Sequence, residues 1–314
     1  MESLALSFNA IAPIFILIIL GYFLKKIKVG DPKSFDTMNK LVFKLFLPVL
    51  LFYNIYKTEK GDVFDAKLIA FLVLGVIAVF VIGYICAMVF TKQNSRRGVM
   101  MQGFFRSNLA IFGMPIVGYI CGEGSGALTA LAIAVVIPVF NVLAVIALER
   151  FRGAEGKVNF GKLFMGIIKN PLIIGCIIGL VFFLLGIKLP TALEKSVKDI
   201  SSVATPLALI VLGSKFEFSA VRDCLKELVV TLGFRLIIIP LIMLAAAVWL
   251  GFTGEALACI LITFASPVAT SSFAMAQQMG GDEQLAAQLV VMSSAFCLFT
   301  MFVWIFSLSY LGLF

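Results

Sequence analysis

The chain lacks histidine altogether, and of its 314 residues only 13% are charged and two are tryptophan. A soluble domain carries roughly a quarter of its residues as Asp, Glu, Lys and Arg, so this composition excludes an ordinary water-exposed globule. Without histidine, the commonest metal ligand and general base is missing. The six cysteines, Cys86, Cys121, Cys176, Cys224, Cys259 and Cys297, are scattered through mostly apolar runs and form no CxxC pair. They read as small packing residues, and neither a metal nor a cofactor is expected. No Asp or Glu falls deep in an apolar run: Glu149, Asp199, Glu255 and Asp282 sit at ends or in loops. That argues against an antiporter built on a buried carboxylate pair, and for an anionic over a cationic substrate. "GEGSG" at 122–126 has no Lys-Ser/Thr after it and reads as a turn, not a nucleotide loop. No enzyme is expected.

What the chain has in abundance is hydrocarbon: 61% of residues are hydrophobic and the mean hydropathy is +1.10. A membrane span needs about 20 apolar residues. Ten such stretches can be drawn, at 7–27, 38–56, 67–90, 98–121, 126–148, 166–187, 198–214, 226–251, 255–279 and 284–310. The expected fold class is therefore an all-α membrane protein of ten transmembrane helices. No basic stretch precedes the first apolar segment, which reads as a span and not as a cleaved leader.

The net charge of +8 is explained by loops, not by nucleic acid. If loops alternate sides, one side holds Lys25, Lys26, Lys28, Lys33, Lys92, Arg96, Arg97, Arg150, Arg152, Lys157, Lys162, Lys215, Arg222 and Lys226. The other holds Lys57, Lys60, Lys67, Lys188, Lys195 and Lys198. The richer side is cytoplasmic by the positive-inside rule, which puts both termini outside. The expected location is the plasma (inner) membrane of a prokaryote.

The polar loop "ERFRGAEGKVNFGK" divides the chain, and the proline and glycine punctuation repeats across it. Pro13 and Pro171, Gly21 and Gly179, Pro48 and Pro206, and Gly75 and Gly233 are each 158 residues apart. The single transporter unit 1–314 then divides into repeats 1–152 and 158–314 of five spans each, an odd number, so the second is inverted. Inverted repeats are the sequence sign of a secondary transporter with its site at the midplane. "GYICG" and "GCIIG" have the spacing of close helix contacts.

Within this hydrocarbon the ninth span carries "ASPVATSS", with Pro267 about 12 residues in, roughly 18 Å deep. The fourth carries "FFRSNLAIFGMPIVG", in which Asn108 is followed by Gly113 and Pro115. Freed backbone groups cost several kcal/mol each in hydrocarbon, so a broken span survives only where it lines a cavity or is buried in protein. Gly113, Pro115 and Pro267 are the expected helix breaks. Asn108, Ser266, Pro267, Thr270 and Ser271 are the expected substrate contacts. Arg106 and Arg235, each roughly 12 Å inside a span, supply field for an anion. Gln277 and Gln278 are candidates for an ion or polar cavity.

These two segments, "NLAIFGMPIVG" and "SPVATSSFAMAQQMGGD", in a ten-span frame covering the whole chain, resemble the auxin efflux carrier family, particularly its short bacterial members. The resemblance implies a fold like that of sodium/proton antiporters and bile-acid symporters, with crossing broken helices 4 and 9. A scaffold of helices 1, 2, 6 and 7 would carry a transport unit of helices 3–5 and 8–10 that moves as an elevator. It implies small organic anions as substrate, auxin in plants and malate or malonate in bacteria, and a homodimer. Plant members have an Asn-Pro pair at the first break, where this chain has Asn108 followed by Leu109. A sodium-coupled symporter of the bile-acid type stands as the alternative, and a channel or membrane sensor behind it. Sodium and the proton are both open as coupling ions.

Overall fold

The computed structural model describes residues 2–57, 65–122, 127–152, 165, 168–217 and 220–314. The helices are α1 Glu2–Lys26, α2 Pro32–Tyr56, α3 Ala66–Phe90, α4 Asn94–Phe105, α5 Leu109–Cys121 and α6 Ala127–Arg150. They continue as α7 Pro171–Leu185, α8 Thr191–Lys215, α9 Leu225–Trp249, α10 Gly254–Ala265, α11 Ser271–Gln278 and α12 Glu283–Tyr310. Among the described residues, six (α2, α3, α6, α8, α9 and α12) are long and apolar enough to cross a membrane. The loop dividing the two halves lies mostly outside the described residues, as does "GEGSG".

Local chemistry sets the ends. Asp31, Asp65 and Asp282 cap α2, α3 and α12, each carboxylate accepting an N–H of the first turn, from Ser34, Leu68 and Leu285. The helix α7 begins at Pro171, where Asn170 caps it through the Leu172 N–H at 2.9 Å and proline suits the first turn. The stretch expected as a span from 198 starts earlier, as α8 at Thr191 after Pro190, and Glu194 in its first turn accepts from the Tyr56 hydroxyl at 3.2 Å.

Two long helices widen into a π turn, Val42–Phe46 in α2 and Phe234–Ile238 in α9, immediately before Pro48 and Pro240. Proline has no N–H and its ring crowds the carbonyl four residues back; the wider turn relieves that. The Leu236 carbonyl, which Pro240 cannot serve, accepts from the Trp304 indole at 3.1 Å.

Glycines bring the outer helices together. A methyl on Gly21 of α1 would stand 1.9 Å from the Ile210 carbonyl oxygen of α8, and one on Gly213 would stand 1.9 Å from that of Ile18. On α7, Gly175 and Gly179 lie against the backbone of Pro48 and Phe52 in α2, at 2.4 and 3.0 Å by the same construction. "GCIIG" is thus a true contact face, whereas a methyl on Gly118 of "GYICG" would meet nothing within 4 Å among the described residues. The reverse side of the molecule is greasy. Along α12, Phe296, Phe299, Val303 and Phe306 form a stripe that is 52–67% exposed. Such a surface fits lipid, not water.

At the centre lie α4 and α10. Every residue of α4 from Gly98 to Phe105 is buried, as is every residue of α10 from Leu257 to Ala265. Each has 12 residues, about 18 Å of helix, too short for a hydrocarbon core of about 30 Å.

Candidate functional site

Both short helices stop at the same kind of place. After Phe105 the chain leaves the helix through Arg106, Ser107 and Asn108 and resumes as α5 at Leu109; after Ala265 it leaves through Ser266–Thr270 and resumes as α11 at Ser271. The two gaps pair with each other. Ser107 and Val268 form an antiparallel bridge, in which Asn108 N–H donates to the Pro267 carbonyl at 2.9 Å and Ala269 N–H to the Arg106 carbonyl at 3.2 Å. Val268 N–H donates to Ser293 Oγ of α12 at 3.0 Å. Backbone groups that water would have served are satisfied by this short ladder, which is the condition for a helix break inside an apolar region.

The position of the first break corrects the expectation. Gly113 and Pro115 lie within α5, downstream of the gap, which falls at residues 106–108. Proline removes a single bond from a helix, whereas the bridge redirects the whole segment. Pro267 does sit in the second gap.

Beside the paired breaks is a cavity of about 60 Å³, walled by Leu47, Leu50, Leu51 and Asn54 of α2, Ile111 of α5, Ile137, Phe140 and Asn141 of α6, Leu172 and Thr205. Its remaining wall is the breaks themselves: Arg106, Ser107, Asn108, Ala269, Thr270 and Ser271. A cavity of this size has room for a few water molecules. Asn108 and Thr270 are the N-cap residues of α5 and α11, so the positive ends of two helix dipoles face this space.

Arg106 is 3% exposed. Its guanidinium donates to Gln102 Oε1 at 3.0 Å, to Asn141 Oδ1 at 2.8 Å, to Ser271 Oγ at 2.9 Å, and to Met275 Sδ. All four partners are neutral, and among the described residues Arg106 has no ion pair. Asn108 Nδ2 and Ser107 Oγ, each on a residue 4% exposed, have no hydrogen-bond partner among the described residues. Arg106 is thus a buried positive charge with no counter-charge among the described residues, and two unused polar atoms lie beside it.

The expected residues divide. Arg106, Asn108, Thr270 and Ser271 come together on the cavity wall. Ser266 and Pro267 contribute backbone to the second break but do not line the cavity, and the fully buried Ser266 Oγ has no partner among the described residues. Arg235 stands apart from the cavity, its Nε, Nη1 and Nη2 turned to backbone carbonyls of Ser266, Phe104 and Thr263. Gln277 is occupied elsewhere: its Nε2 donates to Glu283 at 2.6 Å and Asp36 at 3.2 Å, and its Oε1 accepts from Asn39 of α2. Gln278 is half-buried at the end of α11. Asn54, Ser107, Asn141 and Thr205 were missed. Asn141 carried a usable signal, a lone amide in the run "VIPVFNVLAV"; it holds Arg106 with Oδ1 and donates to the Ile137 carbonyl at 2.9 Å.

An uncharacterized transporter of Methanothermobacter thermautotrophicus is similar to this chain, 23% identical over 301 residues, 95% of this chain and 97% of the relative. The uncharacterized transporter YfdV of Escherichia coli K12 is 23% identical over 278 residues, 85% of this chain and 86% of its own. A Rhizobium meliloti protein that bears the name "Putative malonate transporter" is 22% identical over 293 residues, 90% of each chain. The family model described as membrane transport protein matches residues 6–305. With that match over nearly its whole length, and with several helices apolar enough to span a bilayer, this multi-pass membrane protein belongs to the membrane transport protein family, the auxin efflux carrier family that its broken segments resemble, a family of transporters and not of enzymes.

Proposed function

We propose that the protein is a secondary carrier of small organic anions, carboxylates in particular, and that the substrate sits at the paired breaks. The observation that carries this reading is Arg106, a buried guanidinium held, among the described residues, only by neutral partners, on a cavity wall where Asn108 Nδ2 and Ser107 Oγ have none there. A substrate carboxylate supplies the missing charge, accepts from Asn108 and Ser107, and lies at the N-termini of α5 and α11. The relative whose name carries malonate supports a short-chain acid as substrate class.

The wider frame is ten spans in two inverted halves, 1–152 and 158–314. In it α4–α5 form span four and α10–α11 span nine, crossing at the midplane. α1, α2, α7 and α8 make the scaffold, and the remainder moves past it between outward and inward states. The matched breaks favour this frame, as do the matched glycine contacts of α1 on α8 and of α7 on α2. The termini lie outside the plasma membrane, and the carrier works as a homodimer.

The test is uptake of labelled malate, malonate and indole-acetate into proteoliposomes, with sodium, proton and voltage gradients imposed in turn. Saturable flux of at least one acid is expected, and Asn108→Ala abolishes it without lowering the amount of protein in the membrane. Normal uptake by Asn108→Ala removes the site from this position.

A further inference from the structure

Breaking α4 and α10 strips particular carbonyls of their helical partners. The Phe104 carbonyl would receive the Asn108 N–H, but that N–H donates to Pro267 instead. The Thr263 carbonyl would receive an N–H from residue 267, and proline has none. The Ser266 carbonyl lies inside the second gap. These are the carbonyls that Arg235 reaches: Nη1 donates to Phe104 at 3.1 Å, Nη2 to Thr263 at 3.4 Å, and Nε and Nη2 to Ser266 at 2.9 and 2.7 Å. The side chain is 0% exposed and has no ion pair among the described residues. It arises from the π turn of α9 before Pro240, a distortion that recurs at functional positions.

We propose that Arg235 is the fixed cation of the paired breaks, holding with its guanidinium the carbonyl cluster that elsewhere serves as the ligand set of a bound sodium. Each helix C-terminus carries about half a negative charge, so the converging ends of α4 and α10 present about one, and one guanidinium neutralises them. Unwound carbonyls and half-helix C-termini are what coordinate sodium in carriers of this architecture. Here the Arg235 guanidinium takes the place of that ion. The anion is then loaded without a sodium ion at these carbonyls, while the opposite ends of the breaks, with Arg106, remain positive. Arg235 is a positioning residue and Arg106 the one that meets substrate. The inference rests on reading the paired breaks as the transport site.

It is tested on purified full-length protein in detergent by thermal unfolding, with no transported acid required. Arg235→Met keeps much of the bulk and loses the charge; Arg235→Lys keeps the charge and loses the fork. The expected order of midpoints is wild type, then Arg235→Lys, then Arg235→Met several degrees lower. Arg235→Ala is expected to recover part of its loss in millimolar methylguanidinium or sodium, and none in choline. Equal midpoints for the Lys and Met variants, or an Ala variant indifferent to all three cations, overturn the proposal. If the Ala variant fails to fold, the Lys and Met comparison alone decides. Absence of uptake for every acid tried, with the cation response intact, refutes the substrate reading and leaves the role of Arg235 standing.

Discussion

Arg106 and Arg235 look alike in the sequence: each is a lone arginine inside an apolar run, and the same expectation attached to both. Their partners separate them. Arg106 donates to side chains on the wall of a cavity, and Arg235 to backbone carbonyls away from it. An intramembrane charge was legible from composition; which groups surround it was not, because Asn141 and Ser271 lie 35 and 165 residues further along the chain. Asn141 gives a prediction at this scale. It fixes one edge of Arg106 through a hydrogen bond to a charged group, a kind worth about 1.5–3 kcal/mol. Asn141→Ala is expected to raise the apparent KM for the transported acid about 10- to 100-fold, measured by uptake in proteoliposomes at equal protein density. An unchanged KM rejects the assignment of Asn141 as the residue that orients Arg106.

Among the helices, the sequence disclosed the elements and hid their contacts. Apolar runs marked the helices, six of them long enough to cross a membrane among the described residues. Yet "GCIIG" and "GYICG" have the same spacing, and among the described residues only the first packs on another backbone. The difference makes a paired prediction. Gly213→Val drives a side chain into the Ile18 carbonyl and separates α1 from α8; by the usual cost of overpacking, 1–3 kcal/mol and here more, much of the protein is expected to be lost as aggregate in size-exclusion chromatography. Gly118→Ala, with open space around it and a helical backbone, is expected to keep or slightly raise the unfolding temperature. Gln277 reads differently as an element than as a residue. Its amide ties the end of α11 to Asp36 and Asn39 of α2, so it joins two helices and does not face the cavity. Gln277→Ala should therefore speed hydrogen–deuterium exchange at the C-terminal end of α11 while saturable uptake persists. A complete loss of uptake with unchanged exchange would return Gln277 to the substrate path.

The molecule as a whole is a multi-pass membrane protein whose two most buried short helices end against each other. Its apolar content announced the first half of that statement. The second half depends on Ser107 meeting Val268, a pairing across 161 positions that periodicity in one chain cannot reveal. The first break was placed too late, at Gly113 and Pro115, because proline is the visible breaker in a sequence while backbone pairing is invisible there. The central claim is that this meeting point, with Arg106 beside it, binds an anion. The most direct test is equilibrium binding of labelled malonate and malate to purified wild type and Arg106→Gln, with Gln277→Ala, which lies off the cavity, as the comparison. Saturable binding by the wild type, weakened at least 10-fold in Arg106→Gln and largely kept in Gln277→Ala, is the predicted result. Equal binding by wild type and Arg106→Gln would contradict the account.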